Sequence, residues 1–183
     1  MFFDKKTETQ YYSGISSYVY VEKLVKDSKE SLIVSPYIDE HYARFLISNS
    51  RGKKIKVLSS SLDKKAEHIL TQGVTMRYLI FGLIFFAIAN VLEYFTLGIN
   101  EVFIIGTSLF LIIFLVIFPK GSKVELRKPK GFVHAKFYIG DNEAIQGSAN
   151  LTYNGMHKNV ENISIIHDER DIEKLRNEFY KIW

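Results

Sequence analysis

The sequence predicts an α/β fold, a sheet flanked by helices and interrupted by a two-helix apolar hairpin. Three observations predict it. Short apolar runs bounded by turn residues alternate with segments whose apolar residues recur at helical spacing, the pattern of strands and helices in one sheet-based domain. From Leu79 to Phe118 the only charged residues are Glu93 and Glu101. After that block, the segment His134–Asn150, HAKFYIGDNEAIQGSAN, reads as a strand, a glycine turn and a return strand.

Taken in order, Ile15 to Lys26 predicts a first helix with Ile15, Tyr18, Val19 and Val25 on one side. Ser31 to Tyr37 predicts a buried strand closed by Pro36. Asp39 is placed to cap a helix that turns Tyr42, Phe45 and Leu46 inward, and Ile55 to Leu58 follows as a second strand. Ser61 is the expected cap of a third helix, with Ala66, Ile69 and Leu70 inward and Gly73 at its end. Lys123 to Arg127 and the run from Phe132 read as strands, and Val160 to Ile166 as another. Asp168 then caps a last helix with Ile172, Leu175, Phe179 and Ile182 at helical spacing.

The apolar block predicts a transmembrane hairpin. Leu79 to Ile99 has 21 residues, roughly 32 Å at helical rise. Val102 to Phe118 has 17, about 26 Å and at the short end for a span. Both are apolar round the whole helical circumference, unlike a surface helix. Asn90 and Glu93 are the polar exceptions in the first span, and structural or interface roles are expected of them. Lys64, Lys65 and Arg77 precede the hairpin; Lys120, Lys123, Arg127, Lys128 and Lys130 follow it; its connecting loop has no positive charge. The positive-inside rule therefore places both termini, and the domain they build, on the cytoplasmic face of a multi-pass membrane protein. The predicted organisation is residues 1–78 as the first half of a split domain, 79–118 as the hairpin and 119–183 as the second half.

The formal net charge is +4, and because two of the twenty acidic residues lie in the hairpin, the remainder carries +6. Such a surface suits anionic lipid headgroups or nucleic acid. No alternation of aromatic and basic residues marks a base-stacking groove. With no cysteine, disulfides and thiolate metal sites are excluded. No histidine and carboxylate cluster has metal-ligand spacing, so neither a metal nor a cofactor is expected.

The chemistry concentrates in His134–Asn150. His134 and Lys136 are two apart in an apolar run, and if that run is a strand both side chains leave one face. A nucleophile and a cation then share a surface. Asp141 and Asn142 form the turn, and Gly147-Ser148-Ala149-Asn150 a loop that brings Ser148 and Asn150 to the same ligand. Imidazole, ammonium, hydroxyl and carboxamide together suit a phosphate group.

The pattern resembles the phospholipase D superfamily signature, H-x-K-x4-D followed by G-S-x-N. His134, Lys136 and Asp141 match its first half, and Gly147, Ser148 and Asn150 its second. The gap between Asp141 and Gly147 is one residue shorter than usual, a change confined to the turn. The resemblance continues to Glu161 and covers about residues 15–78 and 119–183. It implies a metal-independent phosphodiesterase in which one imidazole attacks phosphorus and a second protonates the leaving oxygen. It assigns catalysis to His134, Lys136, Asp141 and Glu161 and phosphate binding to Lys136, Ser148 and Asn150. Glu161 would orient the imidazole, and Asp141 more readily fixes the turn than takes part in chemistry. His41, His68, His157 and His167 lack the motif, so a homodimer sharing one active site is expected. The expected function is hydrolysis of a phospholipid headgroup ester. The alternatives are a single-motif nuclease acting on DNA or RNA, and a non-catalytic membrane scaffold that binds anionic lipid.

Overall fold

A computed structural model describes residues 9–72, 75–96, 106–111 and 124–183. The chain divides into two compact units, residues 1–71 with 123–183, and residues 72–122.

The first unit is built on a seven-stranded sheet in the order β1-β9-β8-β7-β2-β4-β6. Its strands are β1 (Gln10–Gly14), β2 (Glu30–Val34), β4 (Lys54–Leu58), β6 (Val124–Arg127), β7 (Phe137–Ile139), β8 (Ala144–Gly147) and β9 (Glu161–Ile166). A two-stranded pair joins β3 (Tyr37–Ile38) to β5 (Ser61–Leu62). The helices are α1 (Tyr18–Asp27), α2 (Glu40–Asn49), α3 (Lys64–Gln72), α6 (Tyr153–His157) and α7 (Glu169–Ile182). The sheet is mixed. β2, β4 and β6 run parallel, whereas β2-β7, β7-β8, β8-β9 and β9-β1 are antiparallel.

Strand alternation sorts the core into two layers. Ile33, Ile55, Val57, Tyr138, Ile145, Ile163 and Ile165 join a cluster with Val21, Leu24, Tyr42, Leu46 and Leu70 from α1, α2 and α3. Their neighbours Leu32, Val34, Leu58, Phe137, Ile139 and Ala144 point the other way and meet Ile172 and Phe179 of α7. Central strands buried on both faces explain why their sequences are continuously apolar instead of alternating.

Several expected elements shift. α1 starts at Tyr18 and buries Val21, Leu24 and Val25. The expected inward residues Ile15 and Val19 are 52% and 49% exposed, because the apolar residues surround this helix and tertiary contact chooses among them. The third helix is capped by Asp63, whose carboxylate accepts from Ala66 N at 2.5 Å, while Ser61 belongs to β5. Gly73, its expected terminator, lies outside the described residues. Asp39 caps α2 by accepting from Tyr42 N at 3.0 Å, and Asp168 caps α7 by accepting from Arg170 N at 2.9 Å. Strand β1 and helix α6 have no counterpart in the sequence reading.

The second unit contains α4 (Thr75–Thr96) and a helical stretch, α5, at residues 106–111. Described side chains of α4 are apolar and open on most of its circumference, with Phe81 71% and Phe85 62% exposed. The Asn90 amide donates to the Phe86 carbonyl at 2.7 Å, satisfying its polarity within the helix. Among the described residues no helix is long and apolar enough to cross a membrane. Described side chains of the expected first span lie between Ile80 and Val91, and the second span is described only at residues 106–111. The rest of both spans, the Glu93 side chain included, lies outside the description. The transmembrane hairpin is therefore not part of the observed fold.

Candidate active site

The strand expected from Phe132 begins only at Phe137. Lys136 O already accepts from Gly147 N of β8 at 3.2 Å, but at Val133 Ser60 takes the place of a strand neighbour. Its hydroxyl accepts from Val133 N at 2.8 Å and lies 3.1 Å from Val133 O. His134 and Lys136 nevertheless meet. Lys136 Nζ lies 3.1 Å from His134 Nε2 and 3.4 Å from Nδ1, and donates to the His134 carbonyl at 2.8 Å. His134 is exposed and Lys136 buried. Phe132 sits beside the imidazole, ring centres 6.1 Å apart and inclined by 27°.

The turn is a hairpin. Phe137 pairs with Gln146, Tyr138 with Ile145 and Ile139 with Ala144, and Gly140 N donates to Glu143 O at 2.9 Å. Asp141 reaches away from the chemistry. Its two carboxylate oxygens accept from Lys29 N at 2.8 Å and Glu30 N at 3.2 Å, riveting the hairpin to the start of β2. That makes Asp141 a positioning residue. Asp141→Ala is expected to cost about 1 kcal/mol or more in urea unfolding while kcat well below the unfolding temperature stays within about tenfold. A collapse of kcat in a folded variant would restore Asp141 to the chemistry.

The second half of the motif is held from both sides. A Cβ on Gly147 would overlap the Asn162 carbonyl oxygen and come 2.8 Å from Ile163 Cα, so only glycine allows β8 and β9 this close. Ser148 N donates to Asn162 O at 2.9 Å, and Ser148 Oγ accepts from Asn162 N at 3.0 Å. Tyr138, fully buried, donates its hydroxyl to Ala149 O at 2.8 Å. Leu151 N donates to Ser35 Oγ at 2.9 Å. Asn150 Oδ1 is buried without a hydrogen-bond partner among the described residues, an acceptor left open within the motif.

Glu161 is buried, and its recorded bonds differ from the expected one to the imidazole. One oxygen accepts from Ser148 Oγ and the other from Asn159 Nδ2 at 3.2 Å. Asn159 is thus a site residue that the motif did not single out. Glu161 acts on Lys136 through charge. Burial lowers the Lys136 pKa from its ordinary 10.5, and the Glu161 carboxylate partly offsets this by favouring the ammonium. His134, Lys136, Ser148 and Glu161 therefore form one constellation. An open cleft of about 770 Å³ borders Lys136 and Ser148, with Tyr11, Gln146 and Ser164 of the uncovered sheet face also lining it.

If the Lys136 ammonium binds phosphate, activity is lost on the alkaline side as that proton leaves. Because the pKa is depressed, this limb is expected below the ordinary 10.5. Glu161→Gln removes a charge that raises the pKa and should move the limb lower still. Lys136→Arg should move it out of range, since guanidinium keeps its proton. The pH dependence of kcat/KM checks all three, and an alkaline limb unchanged by Lys136→Arg would dissociate Lys136 from it.

The fold is similar to that of Nuc, a phospholipase D family member from Salmonella typhimurium, at 18% identity over 96% of this chain and 95% of that one, TM-score 0.54. It is similar also to NucT from Helicobacter pylori, at 16% identity over 96% of each chain, TM-score 0.52. Polyphosphate kinase from Porphyromonas gingivalis is a third, at 12% identity over 96% of this chain and 26% of that one, TM-score 0.53. Residues 115–183 match the family model described as cardiolipin synthase, PLD-like domain. Over residues 115–183 the chain is similar to a phospholipase D-like domain. Among curated protein sequences none matches it. The phospholipase D match spans every residue of the motif, from His134 through Glu161.

Proposed function

We propose that the protein is a phosphodiesterase that works through a phosphohistidine, on phospholipid headgroups at a membrane. The observation that carries the catalytic reading is the contact between His134 and Lys136 beside the Ser148–Glu161 pair. In the first step a ring nitrogen of His134 attacks phosphorus, the P–O bond to the leaving group breaks, and the leaving oxygen takes a proton from a second imidazole. Water then attacks the phosphohistidine, its proton passing to the second imidazole as the P–N bond breaks and returns the free His134 imidazole. Lys136 opposes the charge on the equatorial oxygens. The resemblance supplies the second imidazole as His134 of the partner subunit, so the active species is a homodimer. Sedimentation of the active fraction as a monomer would refute the shared site.

The lipid reading rests on α4, whose open faces are apolar over most of its circumference. A helix that exposes Phe81, Leu83, Ile84, Phe85 and Ile88 is stabilised by covering them, and lipid is one medium that does so. We assign the segment between Gln72 and Ser122 to membrane attachment, with the sheet domain on the cytoplasmic side. The family match to a cardiolipin synthase domain is consistent with that substrate class. The nuclease reading has its own support in the fold shared with Nuc and NucT and in the basic balance of the chain.

The deciding experiment presents purified protein in nanodiscs with defined phospholipids, and separately with single- and double-stranded DNA, all in EDTA. Headgroup release without DNA cleavage is the expected result. DNA cleavage without headgroup release would replace the lipid reading with the nuclease one, and no turnover of either would favour a phosphate-binding scaffold.

A further inference from the structure

On the side of the sheet covered by α1 and α2, three groups converge that the phosphodiesterase reading does not use. Glu22 comes from α1, His41 from α2 and His157 from the end of α6. One ligand atom from each lies within 4.8 Å of the others. His157 Nε2 is 3.9 Å from Glu22 Oε1. We propose that Glu22, His41 and His157 bind one divalent transition-metal ion of the zinc class.

The donor set favours that class. Two imidazoles and one carboxylate are borderline ligands suited to Zn²⁺, Co²⁺ or Ni²⁺, whereas Ca²⁺ and Mg²⁺ take oxygen donors. Donors about 2.0–2.2 Å from a tetrahedral ion lie roughly 3.3–3.6 Å apart. The observed separations therefore close by small side-chain rotations, without moving a helix.

The surroundings orient these donors as the outer shell of a metal site does. The His157 ring is sandwiched, with Tyr18 at 4.2 Å and 20° on one side and Tyr153 at 4.7 Å and 21° on the other. Its in-plane nitrogen is thereby aimed instead of free to swing. Tyr42, buried, lies with its hydroxyl 3.1 Å from His157 Nε2 and 3.4 Å from Glu22 Oε1. As a donor to Glu22, the Tyr42 hydroxyl holds that carboxylate in place. When Nε2 takes the metal, the hydroxyl is left to Glu22 alone. Lys26 also bonds Glu22, Nζ to Oε2 at 2.9 Å, leaving Oε1 for the ion. His41 is exposed while the other two are half-buried, so the ion enters from solvent and keeps an open position for water.

The site's position suggests what the ion does. α6 begins three residues after Asn150, and tying its last residue to α1 and α2 clamps the segment that carries the motif's second half. Metal would then stabilise the domain, while the phosphoryl chemistry at His134 proceeds without it.

The test is Zn²⁺ titration of the full chain against a chromophoric chelator, with thermal unfolding in parallel. One Zn²⁺ per chain is expected, with Tm raised by about 5–10 °C at a hundredfold excess over Kd. Co²⁺ should give the intense visible bands of a tetrahedral site. His157→Gln and His41→Gln should each weaken Zn²⁺ binding more than about tenfold, and Tyr42→Phe by about tenfold. His134→Ala should leave the affinity unchanged. Because His41 is exposed, its variant is expected to fold even if His157→Gln does not. Zn²⁺ affinity unaltered by His41→Gln, or lost with His134→Ala instead, would overturn the proposal.

Discussion

Replacement of His134 by alanine is expected to lower kcat on the phosphodiester substrate on the order of 10⁴-fold or more, with the unfolding temperature unchanged. The two halves of that expectation have separate reasons. The imidazole is exposed, and among the described residues its hydrogen-bond and ring partners are the Lys136 ammonium and the Phe132 ring, so its loss opens no buried cavity. Chemically, no neighbouring group can replace it. Ser148 is engaged with Glu161 and the Asn162 amide, and a lysine held as an ammonium has no lone pair with which to attack. Steady-state rates alongside circular-dichroism melts check both halves. Activity within tenfold of the parent would remove His134 from the nucleophile's role, and with it the phosphohistidine.

The largest stability effect is expected at Phe179→Ala, about 3–5 kcal/mol in chemical unfolding. Phe179 is fully buried and packs with Leu32, Val34 and Ile139 on the face of the sheet that α7 covers. Its ring also stacks on Trp183, centres 5.1 Å apart. Truncation leaves a cavity beneath a helix that few other large side chains pin down. The adjacent Tyr180 is the control. It is 44% exposed and contributes a cation–π contact to Lys56 Nζ at 4.9 Å, so Tyr180→Ala is expected to cost only about 1 kcal/mol. Equal losses at the two positions would mean that α7 does not seal the second core layer.

The motif was legible because its parts are close in sequence. Between His134 and Asn150 the chain needs only one hairpin to bring imidazole, ammonium and hydroxyl together, and hairpin geometry is local. The caps Asp39 and Asp168 were legible for the same reason, since an N-cap is chosen within three residues. The third cap falls at Asp63 and not at the expected Ser61 because Ser61 and Leu62 form a short strand, and a parallel pair between β3 and β5 is invisible until both are in place. Asp141 was named with the catalytic groups by resemblance. Its bonds to the amides of Lys29 and Glu30 cross more than a hundred residues, which no local pattern encodes. Glu161 likewise rests on the resemblance, which runs through its companion Asn159 without giving that residue a role.

The sequence by itself determined the α/β class, the order of most strands and helices and the burial of β2, and it singled out the residues proposed for phosphate chemistry. Each follows from spacing or from side-chain chemistry over a few neighbouring residues. Only the tertiary structure decided which face of α1 is buried, that Asp141 is a rivet, and that Glu161 reaches Lys136 through charge. It alone gathered Glu22, His41 and His157. The physical reason is common to all of these: contacts between distant segments depend on how helices settle on the sheet, and that packing is set by the whole core at once.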